Sequence, residues 1–307
     1  MAPLERRHGP LDLPDSLKHN GLLDWQFRGR PRTPVWPQTI EKWLQPDNNR
    51  AGSSAEGHID QIVFGRFFAN QTTGTCIEVG AARPDWLSIG ALYRTKGWDV
   101  IAIEPNPTFA DMHRSRGHTI LQFACGDHDQ DEVDFSVVDS HKVSYRGGAV
   151  TFESWSSLSI KDDYAELNPD LSITKIKVKL RRLDSLLAEH RPALGQIDLI
   201  AVDVEGWELS VLEGLDFLRY SPRVVIIENL FHKAEYRKFM QRRGYTFWRC
   251  SPPNDVYVLL GELSAGERSR TSAAAICVTH LARARTLMGR FRRRVIRAMG
   301  RKTSPAS

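Results

Sequence analysis

Residues 76–86 read CIEVGAARPDW. The apolar run around a single acid has the character of a buried parallel strand entering a turn, with Glu78 two residues before Gly80. A strand that ends on a glycine turn opens an α/β unit, and nucleotide-binding turns of this kind carry two or three glycines so that the backbone can approach a pyrophosphate. This turn carries one. Arg83-Pro84 stands where a second glycine would be, so the turn suits a ligand that needs one close backbone approach and has no pyrophosphate.

Working outward, strand-like runs recur at Cys76–Val79, Val100–Glu104, Thr119–Ala124, Ile197–Asp203 and Val224–Glu228, with helical patterns between most of them. That rhythm predicts a doubly wound, mostly parallel α/β sheet. After Gly244, YTFWRC and NDVYVLL flank SPPN and read as a closing hairpin, bringing the expected sheet to seven strands. Between about 128 and 196 a small β-rich insertion is expected, from EVDFSVV, AVTFESW and KIKVKLRRLD, over the carboxyl edge of the sheet. Before the first strand, Ile59, Ile62, Val63 and Phe67 fall at helical spacing.

Three regions follow. Residues 1–55 hold Pro10, Pro14, Pro31, Pro34, Pro37 and Pro46 among polar residues and read as an irregular arm whose Trp36 and Trp43 dock on the body. Residues 56–262 form the α/β domain, and 263–307 form a basic tail. Of the 42 Lys and Arg, eleven lie from Arg268 onward with no acid among them, so residues 1–267 hold 31 cations against all 37 acids, a net of −6. Leu281, Ala284, Met288, Phe291, Val295 and Ala298 recur every three or four residues in the tail. That spacing predicts a basic amphipathic helix suited to peripheral contact with an anionic membrane.

The remaining composition excludes several classes. Hydrophobic residues make up 41% of 307 positions, enough for a core. Cys76, Cys125, Cys250 and Cys277 stand singly, which speaks against a disulfide framework or zinc site and for a reducing cytoplasm. No run approaches the roughly 18 apolar residues of a spanning helix, and the first residues lack a secretory apolar core.

In an open α/β sheet the ligand sits at the carboxyl ends of the strands. The first strand presents Glu78, Gly80 and Ala81. The second ends at Glu104, 24 residues after Gly80 and beside Asn106, where an acid can take both hydroxyls of a ribose. The third is expected to end at Cys125-Gly126-Asp127, with Asp127 accepting from an adenine amine. An adenosyl group without pyrophosphate fits these three ends, and S-adenosylmethionine is such a molecule. A lone acid at a strand end also serves as a helix cap or a solvated charge.

The fourth strand carries IDLIAVDVEGWELSVLEGLDF at 197–217. With its Asp-x-Glu-Gly-x-Glu run at Asp203, Glu205, Gly206 and Glu208, followed by Val211, Leu212 and Gly214, the chain resembles the FkbM-type methyltransferases. DQIVFGRFF, IEVGAARPDWLS, IEPNP, FESWSSL, RLDSLL and VVIIENL stand in the family's order, and the likeness covers about residues 57–260. Many members have a second glycine in the first loop, where this chain has Arg83-Pro84. The resemblance implies a Rossmann-like class I methyltransferase fold, of which the antiparallel closing pair is a mark. It also implies methyl transfer from S-adenosylmethionine, most often to a hydroxyl of a sugar, glycolipid or natural product.

The chemistry agrees with that implication. An activated sulfonium donor needs in-line placement and exclusion of water, and a base to remove the hydroxyl proton. Asp203 (also a cofactor contact), Glu205 and Glu208 are the candidate bases, although Glu205 also reads as a helix cap and Glu208 as a first-turn acid. His232 beyond the fifth strand is a fourth candidate, and Ser156 and Ser157 offer hydroxyls to substrate or cofactor. Crowded carboxylates either stay protonated or take up a divalent cation, and no ligand set for a metal is read from the spacing. Two other readings stay open: a nucleic-acid methyltransferase using the tail, and a non-catalytic S-adenosylmethionine-binding module. The first is disfavoured because the fourth strand lacks the Asn/Asp-Pro-Pro-aromatic run used on exocyclic amines.

Overall fold

The computed structural model describes residues 53–139, 156–160 and 172–268, and the backbone of 144–145 and 148–149. Its centre is a seven-stranded sheet of β1 (Thr75–Val79), β2 (Asp99–Ile103), β3 (Thr119–Leu121), β9 (Leu199–Val202), β10 (Val224–Glu228), β11 (Tyr245–Ser251) and β12 (Asn254–Leu259). They lie in the order β11-β12-β10-β9-β1-β2-β3. Pairing is parallel from β3 to β10, and β12 runs antiparallel to both β10 and β11. The fold is thus a mixed α/β architecture with a mostly parallel seven-stranded sheet, consistent with a Rossmann-like methyltransferase.

The central strands are apolar throughout because both faces are covered, and alternate residues enter different cores. Ile77, Val79, Ile101, Ile200, Val202, Val225 and Ile227 pack on one side with Leu186, Leu212, Phe239 and Met240. Cys76, Val100, Leu199, Ala201, Val224 and Ile226 pack on the other with Ile59, Val63, Phe68, Tyr93 and Trp98. Each Val, Leu, Ile, Phe or Met side chain among them contributes about 1.5–3 kcal/mol through burial. The predicted leading helix forms as Ile59–Val63 running into a wider turn at Phe64–Phe68; Ile59 and Val63 are buried, and Phe67 meets Trp248 edge-on at 4.9 Å.

One expected strand is two. Thr119–Leu121 joins the edge of the main sheet, the chain turns at Gln122-Phe123, and β4 (Ala124–Gly126) pairs with β8 (Ser172–Arg182) in a separate three-stranded sheet with β5 (Gln130–Asp139). The break leaves Phe123 to pack beside the main core, and it moves Asp127 away from the edge of the main sheet. Between β5 and β8 lie the short strands β6 (Ser144–Tyr145) and β7 (Gly148–Ala149), which pair with each other. The proline-rich arm with Trp36 and Trp43 and the amphipathic tail lie outside the described residues.

Candidate functional site

Gly80 explains why the first turn needs a glycine. Its φ is +78°, and an added Cβ would stand 1.7 Å from the backbone oxygen of Asp203, so the ends of β1 and β9 approach too closely for any side chain. The N–H groups of Gly80 and Ala81 donate to the Ile103 carbonyl at 3.0 and 3.2 Å, and that of Asp203 donates to Val79 at 3.0 Å. Three strand ends are thereby locked around one point.

Two lobes of one cleft open there, sharing Val79, Gly80, Ala82, Phe109 and Asp203. The first, about 500 Å³, is aromatic and apolar: Phe109, Phe123, Phe135 and Trp207 line it, with Cys125 and Ser156–Leu158. Its principal acid is Glu104, which is 5% exposed. Glu104 accepts from the Ala82 N–H at 2.9 Å and from the Asn106 N–H at 2.8 Å, tying the first loop to the second while each oxygen keeps a lone pair. Burial pushes its carboxyl up to about 7, against the lowering effect of those two N–H groups. Ser157, 3% exposed, has no hydrogen-bond partner for Oγ among the described residues. The Trp207 indole donates to the Ser159 carbonyl at 3.0 Å and holds that segment over the lobe.

The second lobe, about 810 Å³, is acidic. Glu56, Glu78, Asp203, Glu205 and Glu228 line it with Arg83 and Trp86. Burial, then Asp203, holds Glu56 up to about 8; burial, then Glu208 and Glu78, holds Asp203 up to about 7. Glu205 and Glu228 are raised well above the carboxylate range, chiefly by burial and then by neighbouring acids. Asp203 Oδ1 and Glu205 Oε2 are buried and find no hydrogen-bond partner among the described residues.

The turn after β9 is built to present Glu205. Glu205 and Gly206 both have positive φ, +57° and +94°, a conformation that non-glycine residues keep only where the surroundings impose it. Glu208 imposes it: Oε1 accepts from the N–H groups of Val204 at 3.2 Å and Gly206 at 2.8 Å, and Oε2 accepts from the Tyr236 hydroxyl at 2.6 Å. Of the two helix-end readings, the clasp therefore belongs to Glu208, fully buried behind the cleft, while Glu205 faces the acidic lobe.

Other expected site residues lie further out. Glu78 borders the acidic lobe, yet its oxygens accept from Ser88 Oγ and the Gly90 N–H, both at 2.9 Å, and face Arg94 at 3.4 Å. Asn106 caps the helix Pro107–Ser115 by accepting from the Thr108 N–H at 3.0 Å and is absent from both linings. Gly126 also lies outside them, because its carbonyl packs against Gly214. Asp127 bonds His128 at 2.7 Å in the turn between β4 and β5. His232 lies outside both lobes and sits near Cys250 and Asp255. Glu56, Glu228 and the four aromatic residues were not singled out from sequence. Glu228 had a signal, since it ends β10 as Asp203 follows β9; Glu56 had none, since only folding brings it beside residues about 150 positions away.

The residues can hold an adenosyl sulfonium group. An apolar aromatic lobe accepts a flat base, Glu104 accepts hydroxyls, and unpartnered buried carboxylate oxygens await positive charge. No curated protein sequence matches the chain significantly. The methyltransferase FkbM domain matches residues 78–247, more than half the chain and nearly all of the cleft. The protein belongs to the FkbM methyltransferase family.

Proposed function

We propose that the protein transfers the methyl group of S-adenosylmethionine to a hydroxyl of a sugar, glycolipid or natural product. The observation that carries this reading is the two-lobed cleft at the carboxyl ends of β1, β2 and β9, aromatic around Glu104 and acidic around Asp203 and Glu205. The reading takes the sheet as doubly wound and the three-stranded sheet as an insertion over its edge. When bound, the cofactor supplies a methyl group already activated by positive sulfur. Glu104 would hold the ribose, Arg83 the carboxylate of the amino-acid end, and Asp203 its ammonium. Arg83 in place of a second glycine thus has a use, because the ligand carries a carboxylate and no pyrophosphate.

Glu205 is the base. It lines the acidic lobe, and the lack of a partner for its Oε2 leaves an oxygen for the acceptor hydroxyl. The remaining work is alignment and exclusion of water, for which Trp207 and the segment 156–160 close the aromatic lobe. Among the described residues no helix is long and apolar enough to cross a membrane. A cytoplasmic protein whose basic tail rests on anionic lipid, bringing the site to a glycolipid, completes the reading.

The test is transfer of labelled methyl from S-adenosylmethionine to panels of sugars, glycolipids and RNA. Label in a hydroxyl of a sugar or glycolipid supports the proposal, and label in RNA alone overturns it. For the tail, the full chain should co-sediment with anionic liposomes and a chain truncated after Gly266 should not. If the full chain does not co-sediment with anionic liposomes either, the membrane contact is refuted.

A further inference from the structure

The acidic lobe gathers more carboxyl groups than cations. Five carboxylates border it, and of the nearby cations Arg94 is engaged with Glu78 while Arg83 also faces Asp85 at 3.5 Å. At its floor, Asp203 after β9, Glu208 at the start of the next helix and Glu228 at the end of β10 converge, each offering one oxygen within 4.8 Å of the other two. Oxygens that bind one ion at about 2.0–2.6 Å can stand no more than about 4–5 Å apart, so this spacing admits a common ion.

Convergence alone would describe an ordinary acidic cluster. Glu205 adds a separate observation: it lines the same lobe, is 6% exposed, and its Oε2 has no hydrogen-bond partner among the described residues. Asp203 Oδ1 is in the same condition. Buried carboxylate oxygens are costly without a partner, and the two such oxygens, on Asp203 and Glu205, lie beside the converging acids, where a doubly charged ion relieves them most. The donors are all hard oxygens, with neither sulfur nor imidazole, which favours the magnesium, manganese and calcium class over zinc or copper.

We propose that Asp203, Glu208 and Glu228, with Glu205 beside them, form a binding site for a hard divalent cation at the carboxyl ends of β9 and β10. Glu208 keeps its orientation through the Tyr236 hydroxyl and the Val204 and Gly206 N–H groups, so the ligand is held before the ion arrives. Asp203 and Glu228 border the open lobe, which leaves positions on the ion for water or for an oxygen of a second ligand. Use of those positions to hold an acceptor hydroxyl rests on the methyltransferase reading; binding of the ion does not.

The experiment uses chelator-treated full-length protein titrated with Mn²⁺, the free ion being followed by its paramagnetic resonance signal, with neither cofactor nor acceptor present. One Mn²⁺ per chain is expected, displaced by Mg²⁺. Glu228→Gln should weaken it by at least the 10- to 100-fold that loss of a supporting group typically costs. Glu205→Gln, which removes no hydrogen bond seen in the fold, should weaken it in the same direction and decides the matter if Glu228→Gln fails to fold. The proposal is overturned if folded wild type leaves millimolar Mn²⁺ free, or if the folded variants bind as wild type does. Because no methyl transfer is measured, a failed transferase assay leaves this result standing, and the reverse also holds.

Discussion

Asp198 and Asp203 flank the same four-residue strand, β9, and meet opposite treatment. At the amino end, Asp198 Oδ1 bonds Arg223 at 2.9 Å and Oδ2 accepts from the Thr75 N–H at 3.0 Å. Arg223 also grips Glu262 through two bonds of 2.9 and 3.0 Å and stacks 5.2 Å from Phe68. At the carboxyl end, Asp203 Oδ1 has no partner among the described residues, and its neighbours are further acids. Charge at one end fastens strand to strand; charge at the other is held in readiness at a cost in stability. The difference separates structural acids from those that await a ligand, which residue type alone cannot do.

The contrast can be broken at either end. Arg223→Ala removes the cation shared by two partly buried carboxylates, so unfolding in urea should show a loss of about 1.5–3 kcal/mol with little change in ligand binding by the folded fraction. Equal stability would mean that the amino-end pairing is ornamental. Glu205→Gln should act the other way. Turnover falls by at least about 100-fold, roughly 2.7 kcal/mol of barrier, with cofactor affinity little changed and stability equal or higher. Near wild-type single-turnover rates would remove Glu205 as the base.

Proton linkage should sharpen the comparison. Glu56, Glu104 and Asp203 titrate near 8, 7 and 7 in the fold, while unfolded carboxyls titrate near 4. The folded state therefore holds protons that the unfolded chain has lost. Their favourable contribution is fully present below about pH 4 and declines as pH rises towards about 8. Stability of the ligand-free protein should fall from pH 5 to pH 8, and Glu104→Gln should flatten that slope. A rising or level profile in the wild type contradicts these assignments. The smallest effect is expected at Ser157: Ser157→Ala should leave stability unchanged and reduce cofactor affinity by about 0.5–1.5 kcal/mol. A clear loss of stability would instead make Ser157 a structural residue.

Much of this frame was legible in the sequence, for physical reasons. Buried parallel strands such as β10 and β9 are apolar on both faces, and acids just past their ends stand out against that background. Glu104 and Asp203, which line the cleft, were picked out by that rule, and the hairpin of β11 and β12 by its proline turn. The rule failed at Asp127, because Thr119–Gly126 is continuous as a pattern yet divides between two sheets at Phe123, a tertiary choice that no local period records. It also could not tell a presented acid from a clasping one. Glu205 and Glu208 differ only in backbone geometry, the left-handed turn at 205–206 directing one into the cleft and the other onto its own backbone. The aromatic lining and Glu56 depend on contacts between distant segments.

The central claim is that the strand-end acids of the first lobe receive an adenosyl cofactor, and Glu104 tests it most directly. Isothermal titration of S-adenosylmethionine should show one site on the full-length chain. Glu104→Ala should bind more weakly by about 1.5–3 kcal/mol for each charge-assisted bond lost, roughly 10- to 150-fold for one. No binding to folded wild type, or the same affinity in a folded Glu104→Ala protein, would contradict the account.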